Sequence, residues 1–151
     1  YELSQMSNKN HLRLTKLALA TGFRRSELLS LTWSNIDLKK RIIYIYRKNC
    51  AAIDNSSGLR LVPLPEKARK ILEESQQRNG KVIELSKGAA RNGFDKARKK
   101  AGLETLRFHD LRHIAISRMW SSGMNALEIS ACSGHRDIKM LMRYSHYQLS
   151  F

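Results

Sequence analysis

No apolar run in this sequence approaches the ~20 residues that a membrane-spanning helix needs. The opening residues, YELSQMSNKN, hold no apolar stretch of the secretory type. There are two cysteines, Cys50 and Cys132, and their separation fits no metal-binding pair. They read as reduced thiols of a cytoplasmic protein. Internal repeats, low-complexity segments and composition breaks are also missing, so the 151 residues read as one domain, long enough for a real core. An initiator methionine is lacking, and the expected explanation is a fragment whose natural N-terminal region has been removed. Above all, the chain is short of acid. Thirteen Asp and Glu face 28 Lys and Arg, which leaves a net charge of +15. Such an excess favours a polyanion, nucleic acid first. An acidic membrane surface competes, but no segment joins a basic face to a clean apolar face with exposed aromatics. The bland alternative is a basic surface that serves solubility.

What is there reads as mainly α with a small antiparallel β-sheet, an α+β domain. Apolar spacing predicts helices over 9–20 and 25–31. The β-branched and aromatic run RIIYIYR (41–47) predicts a strand, turn-rich NCAAIDNSSG a long hairpin tip, and LRLVPL (59–64) the returning strand. Pro65 is expected to start a helix that runs to about Arg78, where Asn79-Gly80 stops it. KVIEL (81–85) fits a third short strand. Further helices are expected over 87–101, 109–121, 125–132 and 137–144. In the 109–121 helix, Leu111, Ile114, Ala115 and Met119 form the expected apolar stripe, with Gly123 as its breaker.

Four short motifs carry chemistry: TGFRRSEL (21–28), FHDLRH (108–113), SGH (133–135) and MRYSH (142–146). His109 and Arg112 stand three apart on one helix, hence on one face. A guanidinium there can grip a phosphate through two parallel N–H···O bonds, and the imidazole beside it can move a proton. His113 points about 100° away from Arg112 and reads as a structural residue behind the pair. Arg24 follows a glycine break at a helix start, where backbone N–H groups favour an anion. Glu27 can cap that helix or orient Arg24. Arg25 competes with Arg24 and reads as solvent-facing or bound to a DNA backbone. Gly134 permits a tight turn that presents His135. Tyr144 follows nine residues later, near the end of a short helix. A phenol with its ordinary pKa near ~10 is a poor nucleophile unless its proton is taken and its charge stabilised, and two arginines and an imidazole can do both.

Taken singly, each motif also suits an ordinary basic helix. Jointly, their order and spacing over residues 10–147 resemble the catalytic domain of tyrosine recombinases, the phage integrase family. The resemblance implies that Arg24 and Arg112 bind the scissile phosphate, that His109 and His135 assist by hydrogen bonding and proton transfer, and that Tyr144 attacks. It implies a 3′-phosphotyrosyl link and a free 5′-hydroxyl, with no metal, ATP or other cofactor. It also implies a hairpin lysine as acid toward the leaving oxygen. Lys48 is the matching position, although the tip here is longer than the family's usual one and contains no lysine of its own. A role for Lys48 in touching the DNA backbone stays open. Lys87, Arg91, Lys96, Arg98, Lys99 and Lys100 form a basic cluster. From it Lys87, Arg91, Lys99 and Lys100 join Arg25 as candidates for phosphate contacts, which supply affinity with steep salt dependence rather than sequence choice. The implied partner is double-stranded DNA, with a homotetramer on DNA and a monomer without it. In the family a separate N-terminal DNA-binding domain completes the clamp. A type IB topoisomerase-like activity, a catalytically silent DNA-binding module of the same fold and an unrelated helix-turn-helix factor are the alternatives. The last leaves Arg24 and Tyr144 without a role.

Overall fold

The fold is known from a computed structural model, which describes residues 8–46, 58–76 and 78–148. Helix α1, Lys9–Thr21, begins at Asn8, whose side chain accepts the Asn10 N–H at 2.9 Å. It ends where Gly22 turns left-handed (φ 68°) and returns its N–H to Ala18 O. Leu14, Leu17, Ala18 and Thr21 repeat at helical spacing and are buried. A short helix α2, Arg25–Ser30, and a 3-10 turn at Trp33–Asn35 lead into the sheet. Strands β1 (Ile36–Asp37), β2 (Ile42–Tyr46) and β3 (Leu59–Pro63) pair antiparallel in the order β1-β2-β3. Ile43 stands opposite both Ile36 and Val62. Alternation puts Ile43, Ile45 and Val62 inward and leaves Tyr46 and Leu61 exposed.

The rest is helical: α3 Glu66–Glu73, α4 Lys87–Lys100, α5 Phe108–Ser121, α6 Ala126–Ser133, α7 Lys139–Met142 and a closing 3-10 turn, Ser145–Gln148. Helix α5 is the centre. It packs against α1, α6 and the closing turn, and α6 packs in turn on β3. Leu14 and Leu17 of α1 and Leu111 and Ile116 of α5 are each 1% exposed. Full burial of such a side chain contributes roughly 1.5–3 kcal/mol, so this seam alone can offset several kcal/mol of polar burial.

The fold class agrees with the sequence reading, and several details differ. The segment 81–85 is not a strand. It makes one bridge, Lys81 to Thr32, and its adjacent Val82 and Ile83 are both buried, so no face alternates. The third strand is β1 instead. Pro65 is the residue before α3, and the helix stops at Glu73, five residues short of Arg78. After Leu72, whose burial is complete, the next turn offers only Ser75 and Gln76, so nothing apolar holds a further turn to the core. Arg41 precedes β2 in a left-handed conformation (φ 56°), and Arg47 lies outside the described residues. Ile114 is 36% exposed rather than in the core. The buried stripe of α5 runs instead through Leu111, Arg112, Ala115, Ile116, Met119 and Trp120, rotated because Arg112 turns inward.

Gly134 ends α6 at φ 75°, and a β-carbon there would overlap Arg60 Nη1. Gly80 has a similar φ, 67°, with open space around it. Both positions carry the strain of a left-handed residue, about 1–3 kcal/mol, but only Gly134 adds a steric clash. Gly134→Ala is therefore expected to lower the urea midpoint clearly more than Gly80→Ala. Equal shifts would show that Arg60 does not depend on the glycine.

Candidate active site

The junction of α1, α2 and α5 forms a cleft of about 210 Å³ lined by Phe23, Arg24, Arg25, Phe108, His109 and Arg112. Its floor is Arg112, 3% exposed. Gly22 has its carbonyl free at the end of α1, and Arg112 Nη1 donates to it at 2.6 Å. Arg112 Nη2 lies 3.2 Å from His135 Nδ1. Both partners are neutral groups, and no carboxylate pairs with Arg112 among the described residues. Burial, with Arg24 and Arg60 nearby, pushes the guanidinium down to about 10, which still leaves it charged at neutral pH. A buried cation without an anion is costly, and a bidentate oxyanion is its natural complement.

Arg24 stands at the cleft mouth with a half-exposed side chain. Glu27 Oε2 accepts the Arg24 N–H at 2.9 Å, and Glu27 Oε1 lies 3.6 Å from Arg24 Nη1. Glu27 thus both caps α2 and holds Arg24. On its other side it pairs with Arg60 at 3.3 Å. Arg60 is nearly buried because strand alternation puts it on the inward face of β3 with Val62, where it lies over the Phe23 ring at 5.5 Å. Arg25 also lines the cleft, its guanidinium 5.7 Å over Phe108, and is not simply solvent-facing.

The histidines differ in their surroundings. His109 is exposed at the cleft, and its pKa is lowered by burial against the wall and then by His113, Arg112 and Arg24. His135 is pushed down to about 4 by burial, with Arg112 and Arg24 adding to it, so it is neutral at pH 7. Ser133 Oγ lies 2.7 Å from His135 Nδ1. Arg112 Nη2 also lies 3.4 Å from His135 Nε2, so the guanidinium faces the ring edge between its two nitrogens and can donate to whichever carries the lone pair. Ser130 Oγ fixes the loop by donating to His135 O at 2.6 Å.

Tyr144 lies two residues beyond α7, not within it, and its N–H reaches Leu141 O at 3.0 Å. Its ring is 8% exposed. The imidazole that it meets is His113, the residue read from the sequence as structural. The Tyr144 hydroxyl hydrogen-bonds His113 Nδ1, and the two rings stack with centroids 5.8 Å apart. His113 in turn meets His109 edge-on at 5.0 Å. Measured from Arg112, His113 points aside. Measured from His109 it is four residues on and shares that face, and this spacing is the signal that could have found it. Arg60 was also missed, although alternation in LRLVPL was enough to turn it inward.

Residues 2–150 match the model of the phage integrase family. The chain belongs to that family. It is similar to the shufflon-specific DNA recombinase of Escherichia coli, 38% identical over 133 residues, 86% of this chain and 33% of the relative. The chain therefore spans about a third of that relative's length. Among solved structures it resembles the catalytic domain of bacteriophage HP1 integrase, with a TM-score of 0.73 and 27% identity over 97% of this chain and 80% of that one. It also shares its fold with the Tn1549 transposon integrase in complex with circular intermediate DNA, with a TM-score of 0.71 and 22% identity over 94% of this chain and 58% of that one. The fold is thus that of a tyrosine recombinase catalytic domain.

In this phage integrase domain, then, Arg24, His109 and Arg112 share one cleft, His135 joins through Arg112, and Tyr144 joins through His113. Lys48 lies outside the described residues. Lys87, Arg91, Lys99 and Lys100 are exposed on α4 and do not line the cleft. Arg98, by contrast, is tied to Asp95 at 2.8 Å. A larger cleft of about 400 Å³ beside the sheet, lined by Trp33, Asp37, Tyr44 and Arg78 among others, holds none of the candidate residues.

His135 also sets a pH dependence. In the unfolded chain it titrates near 6.5, and in the fold near 4. Between these values the unfolded chain binds the extra proton, so stability falls as pH drops from about 6.5 through about 4. Imidazole resonances followed by NMR should show His135 neutral down to about pH 4. His135→Gln should flatten the loss of stability in that window. A His135 midpoint near 6.5 would contradict the burial described here.

Proposed function

We propose that this domain cleaves and rejoins double-stranded DNA with Tyr144 as the nucleophile, as part of a site-specific recombinase or integrase. The observation that carries the proposal is the buried Arg112 guanidinium, held by a carbonyl and a neutral imidazole and in no ion pair among the described residues, with the Glu27 carboxylate acting on it only at a distance. A phosphodiester oxygen supplies the paired anion. Arg24, steered by Glu27, takes the second charge-assisted bond from the cleft mouth, and His135 and His109 border the same phosphate. In water-poor surroundings such donors stabilise the extra charge of a pentacoordinate phosphate far better than solvent does. Tyr144 Oη attacks phosphorus, the 5′-oxygen leaves, and the 3′-phosphotyrosyl link stores the bond energy for rejoining. Neither metal nor ATP enters this scheme. The +15 charge, with Arg25 at the cleft and Lys87, Arg91, Lys99 and Lys100 on α4, suits backbone contacts along the duplex. Lys48 as the acid toward the leaving oxygen, and a tetramer on paired DNA sites, belong to the same proposal. Relatives described as recombinases and integrases support strand exchange, rather than relaxation, as the output.

Covalent trapping on nicked duplex DNA from the sequence flanking the gene tests this. In EDTA, the intact protein should form a protein–DNA adduct, and Tyr144→Phe should form none while binding DNA within about twofold of wild type. Arg112→Gln should slow adduct formation by about 10²–10³-fold, the usual cost of losing one preorganised donor to a developing charge. An adduct that survives Tyr144→Phe, or needs a divalent metal, would overturn the proposal.

A further inference from the structure

We infer that His113 is the base that receives the Tyr144 proton during attack, an inference that rests on the function proposed above. Three observations meet on this side chain. Its Nδ1 is the hydrogen-bond partner of the Tyr144 hydroxyl. Its ring stacks on the phenol at an interplanar angle of 28°, which fixes the two groups as a pair. Its own position is fixed by α5, where Ser117 Oγ donates to His113 O at 2.9 Å, and by the edge contact with His109. His109 lines the cleft, and His135 faces Arg112 with both ring nitrogens and Ser133 with Nδ1. The division of labour follows: the cleft residues hold the phosphate, and His113 serves the nucleophile.

For the transfer, the phenol donates to a lone pair on Nδ1 and the imidazole proton sits on Nε2. On attack the Tyr144 O–H bond breaks and its proton passes to Nδ1. The oxygen electron pair forms the bond to phosphorus. The P–O5′ bond breaks with its electron pair on O5′, which takes a proton from a separate donor, water or another acid of the site. In rejoining, the imidazolium returns its proton to the phenolate as the 5′-hydroxyl attacks. The groups around His113 are His109, Asp110 and Arg112 on its own helix, Tyr144 beyond α7 and His135 after α6. Apart from Tyr144 and the Asp110 carboxylate these are cations or potential cations. Their field also favours the phenolate once it forms.

The test is single-turnover adduct formation by the intact protein on the nicked duplex, across pH, for wild type, His113→Asn and His113→Ala. Asn keeps a hydrogen-bond acceptor near the Nδ1 position but cannot take a proton. DNA affinity and thermal midpoint are measured alongside, to establish that each variant is folded and bound. Both variants should lose about 10²-fold or more near neutral pH, the ordinary worth of a placed base. Their rates should keep rising with pH where the wild-type rate has levelled, because hydroxide replaces the missing base. The defect should persist on a substrate with a 5′-bridging sulfur, whose thiolate leaves without protonation. Wild-type rate and pH profile in His113→Asn would overturn the inference, including the case in which only His113→Ala fails. Rescue by the sulfur substrate would overturn it too, by assigning His113 to the leaving group. No adduct from wild type at all would instead overturn the proposed function itself.

Discussion

One buried positive charge organises this domain. Arg112 is enclosed where the end of α1, the first half of α5 and the loop after α6 converge, and its hydrogen-bond partners among the described residues are neutral. Placing an ion there costs several kcal/mol. The apolar seam between α1 and α5 bears that cost: Leu14, Leu17, Leu111 and Ile116 bury almost completely on either side of it. Consequently the guanidinium has little freedom. Its direction is set by the Gly22 carbonyl before any ligand arrives, which is the condition under which a charge stabilises a transition state without reorganising.

The other site groups are arranged around that charge. Glu27 lies between Arg24 and Arg60, holding one guanidinium at the cleft mouth while Arg60 packs over Phe23 and under Gly134. Gly134 allows both the left-handed turn and the room that Arg60 occupies, so the loop carrying His135 is seated on the sheet as well as on α6. Burial, with Arg112 and Arg24 adding to it, keeps His135 neutral, and a neutral ring can accept from Arg112. Positive charge thus attracts an anion and also reinforces the burial that keeps the neighbouring imidazole neutral.

Much of this was legible in the sequence because it rests on local rules. The spacing of Leu14, Leu17 and Ala18 marks α1, and the glycines at 22, 102, 123 and 134 mark where helices end. His109 and Arg112 share a face by simple helical geometry, and Glu27 caps α2 from three residues away. What was not legible depends on which face tertiary packing selects. Ile114 looked like core until Arg112 claimed the inward direction. KVIEL looked like a strand, but Val82 and Ile83 are both swallowed by the core and leave no ladder. Tyr144 meeting His113 needed the chain after α7 to fold back on α5, which no local pattern specifies.

The central claim is that Arg112 is completed by a phosphate-like anion. The direct measurement is the thermal midpoint of the intact protein against orthovanadate, a mimic of pentacoordinate phosphate. Wild type, Arg112→Gln and the surface control Lys99→Gln/Lys100→Gln would be compared. A saturable rise in wild type and the surface control, absent in Arg112→Gln, is what the account predicts. The same rise in Arg112→Gln would mean that the anion binds elsewhere on a basic surface, and would contradict it.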